Sequence, residues 1–224
     1  MFFVKQTNSR TVILFVIILL LSGCTGGCSN TYYSAMEKVG IHKRDILVDR
    51  VESARDAQTE AQEEFKSALE QFASVVELKE TDLKKAYDKL NDEYLDCEKA
   101  SETVSDRIDK VENVSQALFE EWEEELGQYE NKTLQAGSRQ QLRETKSRYR
   151  DMLTSMRAAE KSMAPVLRTF HDNVLFLKHN LNAQAIGSLR TEFFGLKENI
   201  QTLISRMNAS IAESNAFIAQ MEKQ

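Results

Sequence analysis

From Val51 onward, apolar residues recur at steps of three and four: Val51, Ala54, Ala61, Phe65, Ala68, Phe72 and Val75, flanked by Leu69 and Val76. A seven-residue ladder follows through Leu83, Leu90, Cys97, Val104, Val111 and Leu118, with Tyr87, Tyr94, Ile108 and Trp122 beside it. A third ladder, Leu142, Tyr149, Met156, Met163, Phe170 and Leu177, keeps the same spacing throughout. A last set runs Phe193, Leu196, Ile200, Leu203, Met207, Ile211, Phe217 and Met221. A mean step near 3.5 residues, sustained over many heptads, predicts helices packed as in a coiled coil. No segment shows the two-residue alternation of a half-buried strand.

Polar steps divide the ladders. Leu78-Lys79-Glu80-Thr81-Asp82 interrupts the first and offers a Thr-Asp pair where a helix N-cap would sit. Gly127, Asn131 and Thr133 mark a second break, and His179-Asn180-Leu181-Asn182 with Gly187 a third. Pro165 falls inside the third ladder, so that helix is expected to kink there or to restart with the proline in its first turn. Each amphipathic helix must bury its ladder against another, and short breaks allow only antiparallel neighbours. The expected fold is therefore all-α: an elongated, antiparallel, coiled-coil-like bundle of three to four long helices. One Pro and 8 Gly in 224 residues agree, since average usage would give roughly 11 and 16.

The start of the chain carries a different pattern. Lys5 and Arg10 precede a run of 11 residues, Thr11 to Leu21, and Ser22-Gly23 then supplies small residues before Cys24. That is the layout of a secretory signal. The run spans about 17 Å as helix, short of a hydrocarbon core of about 30 Å, which makes a permanent membrane span the weaker reading. Leu21-Ser22-Gly23-Cys24 resembles the bacterial lipobox, in which the cysteine is acylated and the peptide before it removed; the competing reading is an ordinary signal peptide near a structural cysteine. The expected organisation is a lipoprotein signal peptide at 1–23, a lipidated linker at 24–30 with the lipid on Cys24, and a helical coiled-coil domain at 31–224. Acyl chains at about 0.8 kcal/mol per buried methylene would anchor it stably. Thr25 after the cysteine resembles the pattern sorted to the outer membrane, so the expected location is that membrane, facing the periplasm.

Charge narrows the partners. The whole chain carries 29 Lys and Arg against 35 Asp and Glu, a net −6, and without residues 1–23 the balance is 27 against 35, or −8. Phosphate neutralisation needs a surplus of cations, so no nucleic-acid partner is expected. Arg139, Arg143, Lys146 and Arg150 nonetheless form a stripe on one helix face, and Glu120, Glu121, Glu123, Glu124 and Glu125 crowd the end of the helix before it. If the chain reverses near Lys132, Arg139 meets Glu125 and Arg143 meets Glu121. Salt bridges that flank the seam compete here with a second reading, in which the basic stripe binds an anionic lipid or glycan. The Glu run reads as solvated surface rather than a cation site.

Catalytic constellations are sparse. His42, His171 and His179 are widely spaced, and eight residues turn a helix by about 80°, so the last two do not share a face. No metal site, catalytic residue or cofactor is expected, and no Gly-rich phosphate loop or nucleophile elbow is present in the sequence. Of the other cysteines, Cys97 sits on a ladder as a small apolar residue. If the chain reverses near Glu80 it lies opposite about residue 63, too far from Cys28 for a disulfide.

Tyr32-Tyr33-Ser34-Ala35-Met36-Glu37-Lys38-Val39-Gly40-Ile41-His42-Lys43-Arg44-Asp45-Ile46-Leu47-Val48-Asp49-Arg50-Val51, Leu118-Phe119-Glu120-Glu121-Trp122-Glu123 and Val174-Leu175-Phe176-Leu177-Lys178-His179-Asn180-Leu181-Asn182-Ala183 carry a resemblance. They are similar to a proteobacterial family classed as a domain of unknown function, over the whole mature chain. The resemblance implies an all-helical lipoprotein and no particular activity. The expected function is a non-enzymatic, membrane-anchored scaffold or adaptor that presents helical faces to a protein partner, or to further copies of itself as a homo-oligomer. The rival is an envelope enzyme or metal-binding protein with a site built across helices from His171, His179 and the acids near Trp122. Covalent wall attachment through a terminal lysine is a third reading, weakened because Gln224 follows Lys223.

Overall fold

The structure is a computed structural model, and it describes Met36, residues 40–77 and residues 82–223. Cys24, Cys28 and the segment 1–23 lie outside the described residues. The chain divides into two units, Met1–Lys43 and Arg44–Gln224. In the first, the Ile41 amide donates to the Met36 carbonyl at 3.1 Å across Gly40, whose φ of 85° is the left-handed geometry of a Schellman turn.

The second unit is built from four helices: α1 (Lys43–Val76), α2 (Leu83–Leu126), α3 (Lys132–His179) and α4 (Ala183–Met221). They form an up-down-up-down bundle, as the apolar ladders require. The 48 residues of α3 correspond to about 72 Å of helix. Every residue of the second and third ladders is buried, whereas Phe193 and Ile211 of the last set are only half-buried. The core of α1 includes Val51, Ala54, Ala61, Phe65, Ala68, Phe72 and Val75 as the spacing predicts, together with Ile46, Leu47, Ala57 and Val76. Phe72 of α1, Tyr94 of α2, Phe170 of α3 and Phe193 of α4 meet across the bundle, with ring centroids 5.7 to 6.3 Å apart. Such offset and edge-on contacts favour this packing beyond the area they bury.

The turns follow the polar breaks closely. The α2–α3 turn is closed by Asn131, whose side chain accepts from the Thr133 and Leu134 amides, and by Gln135, which donates to the Leu126 carbonyl. The α3–α4 turn is shorter than expected: Asn182 caps α4, and Gly187 lies inside that helix. Asp82 stands at the N-cap of α2 without a side-chain cap bond. Pro165 does not restart a helix, because α3 continues through it. Both Pro165 and Lys161, whose carbonyl loses its donor there, are exposed, so water can take the place of the missing bond.

Register across α2 and α3 is that of a reversal near Lys132. Ser105 lies against Glu160, Ser115 against Tyr149 and Trp122 against Ser138. Among the described residues no helix is long and apolar enough to cross a membrane.

Candidate functional site

The α2–α3 seam concentrates the polar chemistry. Tyr149 is a ladder residue, so its ring packs on Phe119 at 5.3 Å and on Phe217 of α4 at 6.2 Å, while its hydroxyl shares a 2.6 Å hydrogen bond with Ser115. Burial raises its phenol above the usual tyrosine range, and the Ser115 hydrogen bond opposes that shift. Trp122 donates from Nε1 to Ser138 Oγ at 2.8 Å, about two turns from the Asn131 cap. Farther along, Arg157 binds Asp109 at 2.5 Å, Glu160 at 2.8 Å and Glu112. Partial burial works against the charge of its guanidinium, but the hydrogen bonds to Glu160, Asp109 and Glu112 win and raise its pKa above the ordinary value. Ser105 completes the cluster by donating to Glu160 at 2.6 Å.

Between Arg157 and the turn lies a groove of about 430 Å³ lined by Phe119, Arg143, Lys146, Tyr149 and Arg150. Its floor is aromatic and its rim is cationic. Lys146 sits 5.4 Å above the centre of the Phe119 ring and reaches Glu123 at 2.5 Å. The ion pairs expected here were Arg139 with Glu125 and Arg143 with Glu121, and neither is the one that forms. Arg139, Arg143 and Arg150 are exposed and carry no ion pair among the described residues. The register was right while the partners were not, because an exposed pair gains only about 0.2 to 1 kcal/mol. Small differences in side-chain reach and rotamer entropy then decide which charges join.

The remaining sequence candidates stay apart. His171 lies over Tyr94, ring centroids 5.2 Å apart, and 4.0 Å from Asp172, whereas His179 ends α3 in an exposed turn. Glu120, Glu123, Glu124 and Glu125 point outward near Trp122, and Glu123 is held by Lys146. Among the described residues no three His, Cys, Asp or Glu side chains are grouped to hold a metal ion. Cys97 is buried near Glu64, one position from the residue 63 that a reversal near Glu80 would set opposite it. Burial first, then the charges of Glu64, Glu93 and Asp96, push its thiol well up, which removes the thiolate needed for reactivity. Glu64 is itself raised by burial, with Asp96, Glu93 and Glu60 adding repulsion.

A second polar seam was not anticipated. Between α1 and α4, Gln58 accepts from Ser210 at 2.8 Å, Gln62 donates to Asn208 at 2.9 Å, and Ser214 donates to the Ser210 carbonyl at 2.8 Å. Gln58, Ser210 and Ser214 are fully buried. The only signal in the sequence was positional, since Ser210 and Ser214 occupy the three-four-three steps between Met207 and Phe217.

The arrangement defines a class: an all-α, antiparallel four-helix bundle whose interior is packed with side chains from end to end. Residues 32–221 match the model of a family described as a protein of unknown function (DUF2959), and the chain belongs to that family. No curated protein and no solved structure matches it.

Proposed function

We propose that this protein is a non-catalytic, lipid-anchored scaffold of the bacterial envelope, tethered through Cys24 and engaging a protein partner through its helical faces. The observation that supports this reading most is a set of large apolar side chains left uncovered toward the α3–α4 end. Leu175 and Phe176 are each 40% exposed, Leu181 45% and Phe194 69%. The ladders are satisfied inside the bundle, so these residues contribute little to its core, and exposed apolar side chains of this size suit a partner surface. The test is in-cell crosslinking from a photoreactive residue placed at Phe176 or Phe194, with Glu102 on the exposed face of α2 as control. Capture of the same envelope protein from the first two positions and not from the third supports the reading. No partner, together with stoichiometric metal in the purified protein that is lost in His171→Ala and His179→Ala, sinks it. Cys24→Ala should abolish fatty-acid labelling and release the protein from membranes.

A further inference from the structure

We propose that the groove rimmed by Arg143, Lys146 and Arg150 over Phe119 and Tyr149 seats the phosphate headgroup of an anionic phospholipid, so that this flank of the α2–α3 hairpin lies on a membrane surface. Charge is the first argument. The whole chain is acidic, yet residues 132–150 hold six Lys and Arg and one acid, Glu144. Four of the six, Arg139, Arg143, Lys146 and Arg150, flank one seam, and the three arginines have no carboxylate partner among the described residues. Unpaired, exposed guanidiniums are matched in geometry to phosphate oxygens, which they bind bidentately.

The groove floor is the second argument. A site for a bare anion has no use for aromatic walls, whereas a lipid headgroup carries glycerol and acyl carbon directly behind its phosphate. Phe119 and Tyr149 offer that carbon a surface in a space of about 430 Å³. Basic side chains around an aromatic floor are the composition of a surface that beds at a lipid–water interface. Glu123 is the internal competitor, since it holds Lys146 at 2.5 Å. Glu120 lies on the same helix face and accepts from Gln116 rather than from a cation of the rim.

The proposal rests on the envelope reading only in requiring a membrane within reach, and the experiment scores the two separately. Trp122 is the chain's single tryptophan and lies on α2 beside this flank, bound to Ser138. Full-length protein is mixed with vesicles of brominated phosphatidylcholine, alone or with about 30% brominated phosphatidylglycerol, and quenching of Trp122 is read while sedimentation reports anchoring. The expected result is at least twofold stronger quenching with the anionic vesicles, lost in high salt and in Arg143→Gln with Arg150→Gln, and increased in Glu123→Gln. Each cation contacting an anionic surface favours binding roughly fivefold, so removing two should abolish the difference. The substituted side chains are exposed, and unchanged helical circular dichroism would confirm folding. Equal quenching with both vesicle types, or a double variant that behaves as the parent, overturns the proposal while leaving co-sedimentation through the anchor intact. Failure of the parent to co-sediment with any vesicle, with quenching by dissolved short-chain brominated phosphatidylglycerol retained, would instead overturn the anchor and keep the groove.

Discussion

The α1–α4 and α2–α3 interfaces are made of similar helices and differ in how they treat charge at their margins. Between α1 and α4 the buried polar residues are neutral: Gln58, Gln62, Ser210 and Ser214 bind Asn208, one another and the backbone. Across that interface the cations Arg55 and Arg190 reach the neutral Asn215 side chain and the Val76 carbonyl. Between α2 and α3 the buried polar pair, Ser115 with Tyr149, is also neutral, but charges line the margin, with Arg157 joined to Asp109, Glu112 and Glu160 and Lys146 joined to Glu123. The difference follows from desolvation. An amide or hydroxyl can be buried once it is hydrogen-bonded, whereas a charge loses too much hydration unless it stays near water or is fully paired. Buried amides therefore specify which helices meet and in what register, and exposed charges remain free to take other partners.

The largest test removes the ring both halves share. Phe170 is fully buried against Phe72 and Tyr94, so Phe170→Ala should cost about 3–5 kcal/mol in urea unfolding and destabilise both interfaces together. A loss below about 1 kcal/mol would mean that the centre is loosely packed and the two interfaces stand independently.

A smaller effect separates the neutral seam. Gln58 Nε2 has no partner and its oxygen accepts from Ser210, so Ser210→Ala strands the whole buried amide and should cost about 1–3 kcal/mol. Adding Gln58→Met removes the stranded group, and the double variant should recover most of that loss. If the double variant is worse than the single, the amide has a role the bond pattern does not display.

The smallest test uses pH. Tyr94, on the α2–α3 side, is pushed up to about 12 by burial and by the hydrogen bond it donates to Glu98 at 2.8 Å. The folded state then holds this proton more tightly than the unfolded chain, whose tyrosine titrates near 10. Its stabilising contribution is complete below about pH 10 and is lost as pH rises toward 12. Urea unfolding from pH 9 upward should therefore show the gap between the parent and Tyr94→Phe closing over that window. Gln58 and Ser210 carry no titrating proton, so the gap between the parent and their double variant should stay constant. A gap for Tyr94→Phe that does not change with pH would place its phenol in water.

Heptad spacing identified the backbone of the core, including every residue of the second and third ladders, because a residue recurring every 3.5 positions must face one side of a helix. Phe193 and Ile211 of the last set are nevertheless only half-buried. The polar breaks located the turns within a few residues, and a reversal near Glu80 set Cys97 opposite about residue 63, close to the Glu64 it is found near. Heptad spacing could not distinguish a polar residue on a ladder from one beside it, so Gln58, Ser210 and Ser214 were invisible until α1 was seen to pack on α4. Nor could it choose among exposed charges: Lys146 rather than Arg143 found a carboxylate, and Arg157 gathered three. Burial periodicity is a property of one helix and is written along the chain. Partner choice depends on which helix stands opposite and on where each side-chain tip reaches, and those are properties of the assembled bundle alone.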